Sequence, residues 1–121
     1  MTTPSLYERL GKKDGISRVV RDVITNHLAN PLVQSRFAGV KDMDRLHKVS
    51  TEFFCMGAGG PESYTGRDLL ATHQGMNVSE QEFIAVVDDI VAALDKNGID
   101  AQTKSDVIGV LFSLKAQVVR L

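Results

Sequence analysis

The 121-residue chain has no tryptophan, a single cysteine and only three prolines. The lone thiol, Cys55, excludes an internal disulfide and suits a reducing compartment. It has no helix N-terminus or cationic cluster beside it, so it reads as a small core or surface residue rather than a nucleophile. Histidine is also scarce. His27, His47 and His73 stand far apart, and no His-x-x-x-His or Glu-x-x-His pair is present, which argues against zinc and di-iron sites. Fourteen basic residues face 15 acidic ones, for a net charge of −1, and no basic block stands out, so nucleic acid is excluded as a partner. No apolar run is long enough to span a bilayer, and Met1-Thr2-Thr3-Pro4-Ser5 is too polar for a signal peptide. The expectation is a cytoplasmic protein with no membrane partner. Repeats, low-complexity segments and period-two alternation are lacking too, which leaves no strand to assign.

What is present is helical periodicity. Residues 1–121 suffice for one domain, and the apolar (43%) and charged (24%) fractions are those of a globular protein. Pro4 and Gly11 bracket a short helix carrying Leu6, Tyr7 and Leu10. Asp14 is a candidate cap for the next helix, whose stripe is Ile16, Val19, Val20, Val23, Ile24 and Leu28 and which Asn30-Pro31 ends. A helical turn over Pro31–Phe37 follows. Met43–Gly57 has the stripe Met43, Leu46, Ser50, Phe53, Phe54, Gly57. The Ser79/Glu82 capping box opens a run through Phe83, Val86, Val87, Ile90, Val91 and Leu94, which Asn97-Gly98 stops. Asp100 caps a last helix with Val107, Ile108, Leu111, Leu114 and Val118 inward. The fold class is all-α.

Between the two helical halves lies Gly59–Asn77, which holds four of the ten glycines and few apolar side chains: Tyr64, Leu69, Leu70 and Met76. Side chains or a cofactor must fill the core there. His73 sits near its end. A neutral imidazole can ligate a metal, and a histidine ending a short helix can donate its other N–H to the carbonyl four residues back, that of Leu69. A solvent-exposed loop histidine is the alternative, and spacing alone leaves both open. His47 lies off its helix's apolar stripe, and His27 at the margin of its own, where a surface or partly buried role is expected. Phe37, Phe53 and Phe54 are core residues by default. The glycines lack the Gly-x-x-x-x-Gly-Lys pattern of a phosphate loop.

Three pieces carry a family resemblance. Leu6-Tyr7-Glu8-Arg9-Leu10-Gly11 is one. Phe37-Ala38-Gly39-Val40 after Pro31-Leu32-Val33 is another. The most specific is Gly59-Gly60-Pro61-Glu62-Ser63-Tyr64-Thr65-Gly66-Arg67 with His73-Gln74-Gly75-Met76 downstream. In order and spacing, from Leu6 to about Val119, they resemble group I truncated haemoglobins. The resemblance implies a globin-like two-over-two helical sandwich around haem b. Ser17–Ala29, Met43–Ala58, Ser79–Lys96 and Ala101–Arg120 would be its B, E, G and H helices. His73 matches the proximal iron ligand. Phe37 matches the phenylalanine that stacks on haem, Phe54 one associated with ligand tunnels, and Leu69 an apolar residue on the proximal face. Leu46, Val49, Phe53, Arg67, Leu70, Met76 and Phe83 complete the expected haem-binding set. No Cys-x-x-Cys-His is present for covalent attachment.

The departures from the family are distal. Ile24 stands where members often place a tyrosine, and Leu46 and Ser50 where a glutamine or other polar residue is common. The expected ligand pocket, Ile24, Leu46, Ser50 and Phe54, is mostly apolar, and the Ser50 hydroxyl can instead bond back to the Leu46 carbonyl. The implied function is binding of O₂, NO or CO, for transport, NO detoxification or sensing, with a reductase as a further partner and a monomer or weak dimer as the assembly. NO dioxygenase and peroxidase-like side activities are the enzymatic options. A peroxidase-type redox protein is the alternative, as is a six-coordinate electron-transfer protein with His47 as distal ligand, brought inward by a loop (Ala38–Asp42) one residue longer than is typical. A helical interaction module without cofactor is the reading from another class.

Overall fold

The computed structural model describes residues 4–121; Met1-Thr2-Thr3, part of the polar start, lies outside them. The described residues form seven α-helices: α1 (Leu6–Arg9), α2 (Lys12–Ala29), α3 (Gln34–Ala38), α4 (Met43–Gly57), α5 (Leu69–His73), α6 (Glu80–Lys96) and α7 (Ala101–Ser113). A 3₁₀ turn over Lys115–Gln117 follows α7. No strand occurs among the described residues, and no helix is long and apolar enough to cross a membrane.

Helix α2 is the hub. It packs on α4 and on α6, while α6 packs on α7. Its stripe Ile16, Val19, Val20 and Val23 is buried, and it meets Ile90, Ala93 and Leu94 of α6, Val107 of α7 and Cys55 of α4. Burial raises the Cys55 thiol pKa to about 11, so this cysteine is an inert core residue. The caps stand where the residue types place them. Ser79 Oγ accepts from Glu82 N (3.0 Å) and Glu82 Oε1 from Ser79 N (3.1 Å). Asp100 accepts from Thr103 N, and Gly98 takes φ +72° after α6. Ser79→Ala is expected to lower stability by about 1 kcal/mol in chemical denaturation at pH 7, the usual loss for an N-cap hydroxyl.

Two boundaries differ from expectation. Helix α2 starts at Lys12 behind Gly11 (φ +92°), so Asp14 sits inside the first turn instead of capping it. The last helix stops at Ser113, well short of Arg120. Its β-branched end, Val118-Val119, leaves the helix for a parallel bridge between Val119 and Val78. Arg120 N donates to Val78 O (2.8 Å) and Asn77 N to Leu121 O (2.7 Å), so the tail's backbone groups are satisfied by the segment after His73.

The glycine-rich stretch is pinned over its first part. The Tyr7 ring abuts Gly60, where a Cβ would come to 2.5 Å from the ring, and its hydroxyl donates to Glu62 Oε1 at 2.7 Å. Tyr64 packs edge-on against Phe53, with ring centroids 5.3 Å apart, and Thr65 Oγ1 and N both donate to Glu52. The stretch therefore crosses α4 along a fixed path and delivers α5 to one side of the helical shell.

Candidate functional site

The helices enclose a cavity of about 250 Å³ lined almost wholly by carbon. Helix α2 supplies Val20, Val23, Ile24 and His27; α3 supplies Arg36 and Phe37; α4 supplies Leu46, Ser50, Phe53 and Phe54. From α5 and the loop after it come Leu69, His73, Met76 and Val78, and the far wall is Glu82, Phe83, Val86 and Ile90 with Leu111, Leu114 and Val118.

His73 ends α5, a five-residue helix capped by Asp68, which accepts from Leu70 N. Its Nδ1 lies 2.8 Å from the Leu69 carbonyl. A carbonyl only accepts, so in the neutral ring the proton is on Nδ1 and the lone pair is on Nε2, on a side chain that lines the cavity. This is the arrangement of a metal-ligating histidine. Phe37, Leu46, Phe53, Phe54, Leu69, Met76, Phe83, Ile24 and Ser50 line the same cavity. Ser50 Oγ has no hydrogen bond among the described residues; Thr51 makes the back-bond instead, donating to His47 O at 2.8 Å.

Four expected residues are placed elsewhere. Val49, Arg67 and Leu70 do not line the cavity. Arg67 is exposed and reaches only the Ala71 carbonyl, and Leu70 is 45% exposed. His47 is turned towards α2: its Nε2 lies 3.0 Å from Ser17 O and 3.3 Å from Ser17 Oγ. With Leu46 and Ser50 inward, the next position around the helix must face α2, so the longer loop does not bring His47 to the cavity.

Two polar groups of the cavity wall are additions to the sequence reading. His27 is 5% exposed; its Nδ1 is 2.7 Å from Asp89 Oδ2, and its ring stacks on Phe37 at 4.8 Å between centroids. Asn30 Nδ2 donates to both Asp89 oxygens (3.1 and 3.2 Å), and Asn26 Nδ2 to the Asp89 carbonyl (3.0 Å). Burial pushes the His27 pKa down, and Asp89 draws it part of the way back. The signal was its spacing, one turn beyond Val23 and Ile24 on the inward stripe. Arg36 clamps the site's edge: Nε and Nη2 donate to Glu82 (2.7 and 3.0 Å), and Nη1 donates to Met76 O (2.8 Å), three residues beyond His73.

Arg36, and then the Ser79 N–H, hold the Glu82 carboxyl at about 2, well below its ordinary 4.5. A carboxylate lowered on folding stabilises fully above the unfolded value and loses that contribution as pH falls through the folded one. Glu82→Gln is therefore expected to destabilise by ~1–2 kcal/mol at pH 7, for a part-exposed charge-assisted pair. The difference from the parent in thermal melts should shrink from about pH 4.5 down to about 2.

A second apolar cavity of about 30 Å³ adjoins the first. Phe53, Phe54, Leu111 and Leu114 line both, and Leu6, Leu10 and Val110 close the smaller one. Phe54 thus stands between two voids.

The family model for bacterial-like globins matches residues 5–120. The group 1 truncated hemoglobin of Mycolicibacterium paratuberculosis is 30% identical over 114 residues, covering 94% of this chain and 83% of that protein. That of Tetrahymena pyriformis is 32% identical over 95 residues, 78% of each. The crystal structure of the T. pyriformis truncated hemoglobin in its Fe(III) form superposes with a TM-score of 0.92 at 26% identity, covering 98% of this chain and 100% of that one. The helices around the cavity are accordingly a two-over-two sandwich. A carbon-lined cavity with one histidine fixed by its own helix is thus found in a fold shared along nearly the whole chain, and the protein belongs to the bacterial-like globins, among the group 1 truncated haemoglobins.

Proposed function

We propose that the chain binds haem b in the large cavity through His73 and carries a diatomic gas there. The carrying observation is the His73 ring: Nδ1 is committed to the Leu69 carbonyl at 2.8 Å, and Nε2 is free on an apolar wall. Haem, when bound, supplies an iron able to take up O₂, NO or CO. The chain's own residues do the rest. Leu69 fixes the tautomer and direction of the His73 ring, while Phe37, Leu46, Phe53 and Phe83 keep water from the apolar faces. Arg36 holds the loop after His73 through the Met76 carbonyl.

Away from His73 in the chain, the cavity wall includes Ile24, Leu46 and Ser50, which offer one hydroxyl and no tyrosine. A donor aimed at the ligand favours O₂, on which negative charge builds, far more than CO. The cavity therefore suits CO and NO retention better than O₂ storage, and a gas-handling role with rapid O₂ turnover fits it better than transport. Redox chemistry of peroxidase type is the less supported reading, since Arg36 is paired with Glu82 rather than free. Spectra of the purified protein test the proposal. A Soret band and a ferrous–CO complex are expected, and a colourless protein that gains no Soret band with added haemin refutes it.

A further inference from the structure

Besides His73, the cavity wall carries one other imidazole, and its chemistry is set by what surrounds it. The carboxylate of Asp89 accepts and cannot donate, so the bond at 2.7 Å places the proton of a neutral His27 on Nδ1. Asn30 occupies both oxygens of Asp89 and fixes the carboxylate in turn. Phe37 covers one face of the ring. The residue lines the cavity, and its Nε2 has no partner among the described residues. The charged groups nearby do not compete. Asp89 on α6 is the one that acts on the ring, while Arg36 on α3 and Glu82 on α6 are bonded to each other.

An apolar cavity selects neutral ligands, because bringing an anion out of water costs several kcal/mol. Weak acids that bind as anions then need a base inside. We propose that His27 is that base: a small neutral acid of the hydrogen cyanide or hydrogen sulfide class gives its proton to Nε2. The ligand's bond to hydrogen breaks and leaves its electron pair on the ligand anion. The Nε2 lone pair forms the new N–H bond, and Asp89 holds the resulting imidazolium. No electron changes hands. Burial keeps the ring neutral and available near pH 7, and Asp89 restores part of its basicity. His27 so serves ligands that arrive as neutral acids and has no part in the binding of aprotic gases.

The inference rests on the haem reading above. The test compares cyanide association with the ferric protein and CO association with the ferrous protein, from about pH 5 to 8. A well-placed base contributes a hundredfold or more, and His27→Asn is expected to slow cyanide by at least about tenfold and CO by less than about twofold. Asp89→Asn removes the charge that raises the His27 pKa, so the pH midpoint of cyanide association should move down. Equal slowing of both ligands would mean a deformed cavity and overturn the proposal; so would unchanged cyanide rates in both variants. If His27→Asn does not fold, the Asp89→Asn midpoint decides alone. ¹⁵N NMR of the His27 ring in the purified chain keeps the two readings apart. A protein without a Soret band fails the haem reading, whereas an Nε2–H tautomer at neutral pH fails this one.

Discussion

His73→Ala is expected to weaken haem retention by more than about 100-fold, since even changes to the groups that orient a ligating histidine cost 10–100-fold in metal affinity. The cavity would still be there. Its walls come from six other segments, and His73 itself is only part-buried at the end of a five-residue helix. Removing the ring takes away the one Nε2 prepared by a backbone carbonyl, that of Leu69 at 2.8 Å, and leaves an imidazole-sized space on the wall. Added imidazole should therefore refill the space and restore the Soret band. A haem titration followed by absorbance measures both effects. Full haem binding by the variant would show that the apolar walls hold the group without the ligand and would end the assignment. Loss of helical circular dichroism along with the colour would mean that the helix had been lost rather than the ligand.

Ile24→Tyr is expected to slow O₂ dissociation by roughly 10- to 100-fold, because a hydrogen bond to a group bearing charge contributes about 1.5–3 kcal/mol and each 1.4 kcal/mol is tenfold. Ile24 lines the cavity from the middle of α2, next to the Val23 stripe and across from Leu46 and Ser50 of α4. A phenol there has room to donate into the cavity, a donor the natural lining lacks apart from the Ser50 hydroxyl, itself without a partner among the described residues. CO dissociation, which gains little from a donor, should change by less than about threefold in the same variant. Flash photolysis and stopped-flow exchange give both rates. Slow O₂ release from the natural protein, slowed no further by the tyrosine, would show that another group already supplies the bond.

Much of this site is readable along the chain because it is local. The His73–Leu69 hydrogen bond follows from helix arithmetic four residues apart, and the Ser79–Glu82 box and Asp100 cap follow from spacings of three. The inward stripes of α2, α4 and α6 place Ile24, Leu46, Ser50, Phe54 and Phe83 correctly because a 3.6-residue period fixes which face is buried. What escaped depends on which faces meet. His27 and Asp89 are 62 residues apart, and Arg36 and Glu82 are 46 apart. These pairings cannot be read from either helix alone and acquire meaning only from the partner. Read alone, His27 at the edge of an apolar face is a surface or partly buried residue; with Asp89 as partner it is buried. The end of α7 escaped for the same reason. Val118 continues the apolar stripe, but Val119 finds a partner in Val78, and backbone pairing with a distant segment ends the helix.

The shortness of α5 bears on how the site opens. Five residues form about one turn, and isolated helices of that length do not persist in water. Its position depends on Arg36 gripping the Met76 carbonyl, on the tail meeting Asn77 and Val78, and on Thr65 held by Glu52. Those anchors lie at the surface or near it, whereas Ile16, Val20 and Leu94 are sealed in the core. The amides of 69–76 are therefore expected to exchange with solvent through local openings whose free energy lies well below that of global unfolding, which hydrogen exchange measures. The segment that bears His73 is the one expected to open while α2, α4 and α6 remain folded. If the proposed haem binds here, its entry and escape are expected to need only excursions of this segment and not melting of the domain.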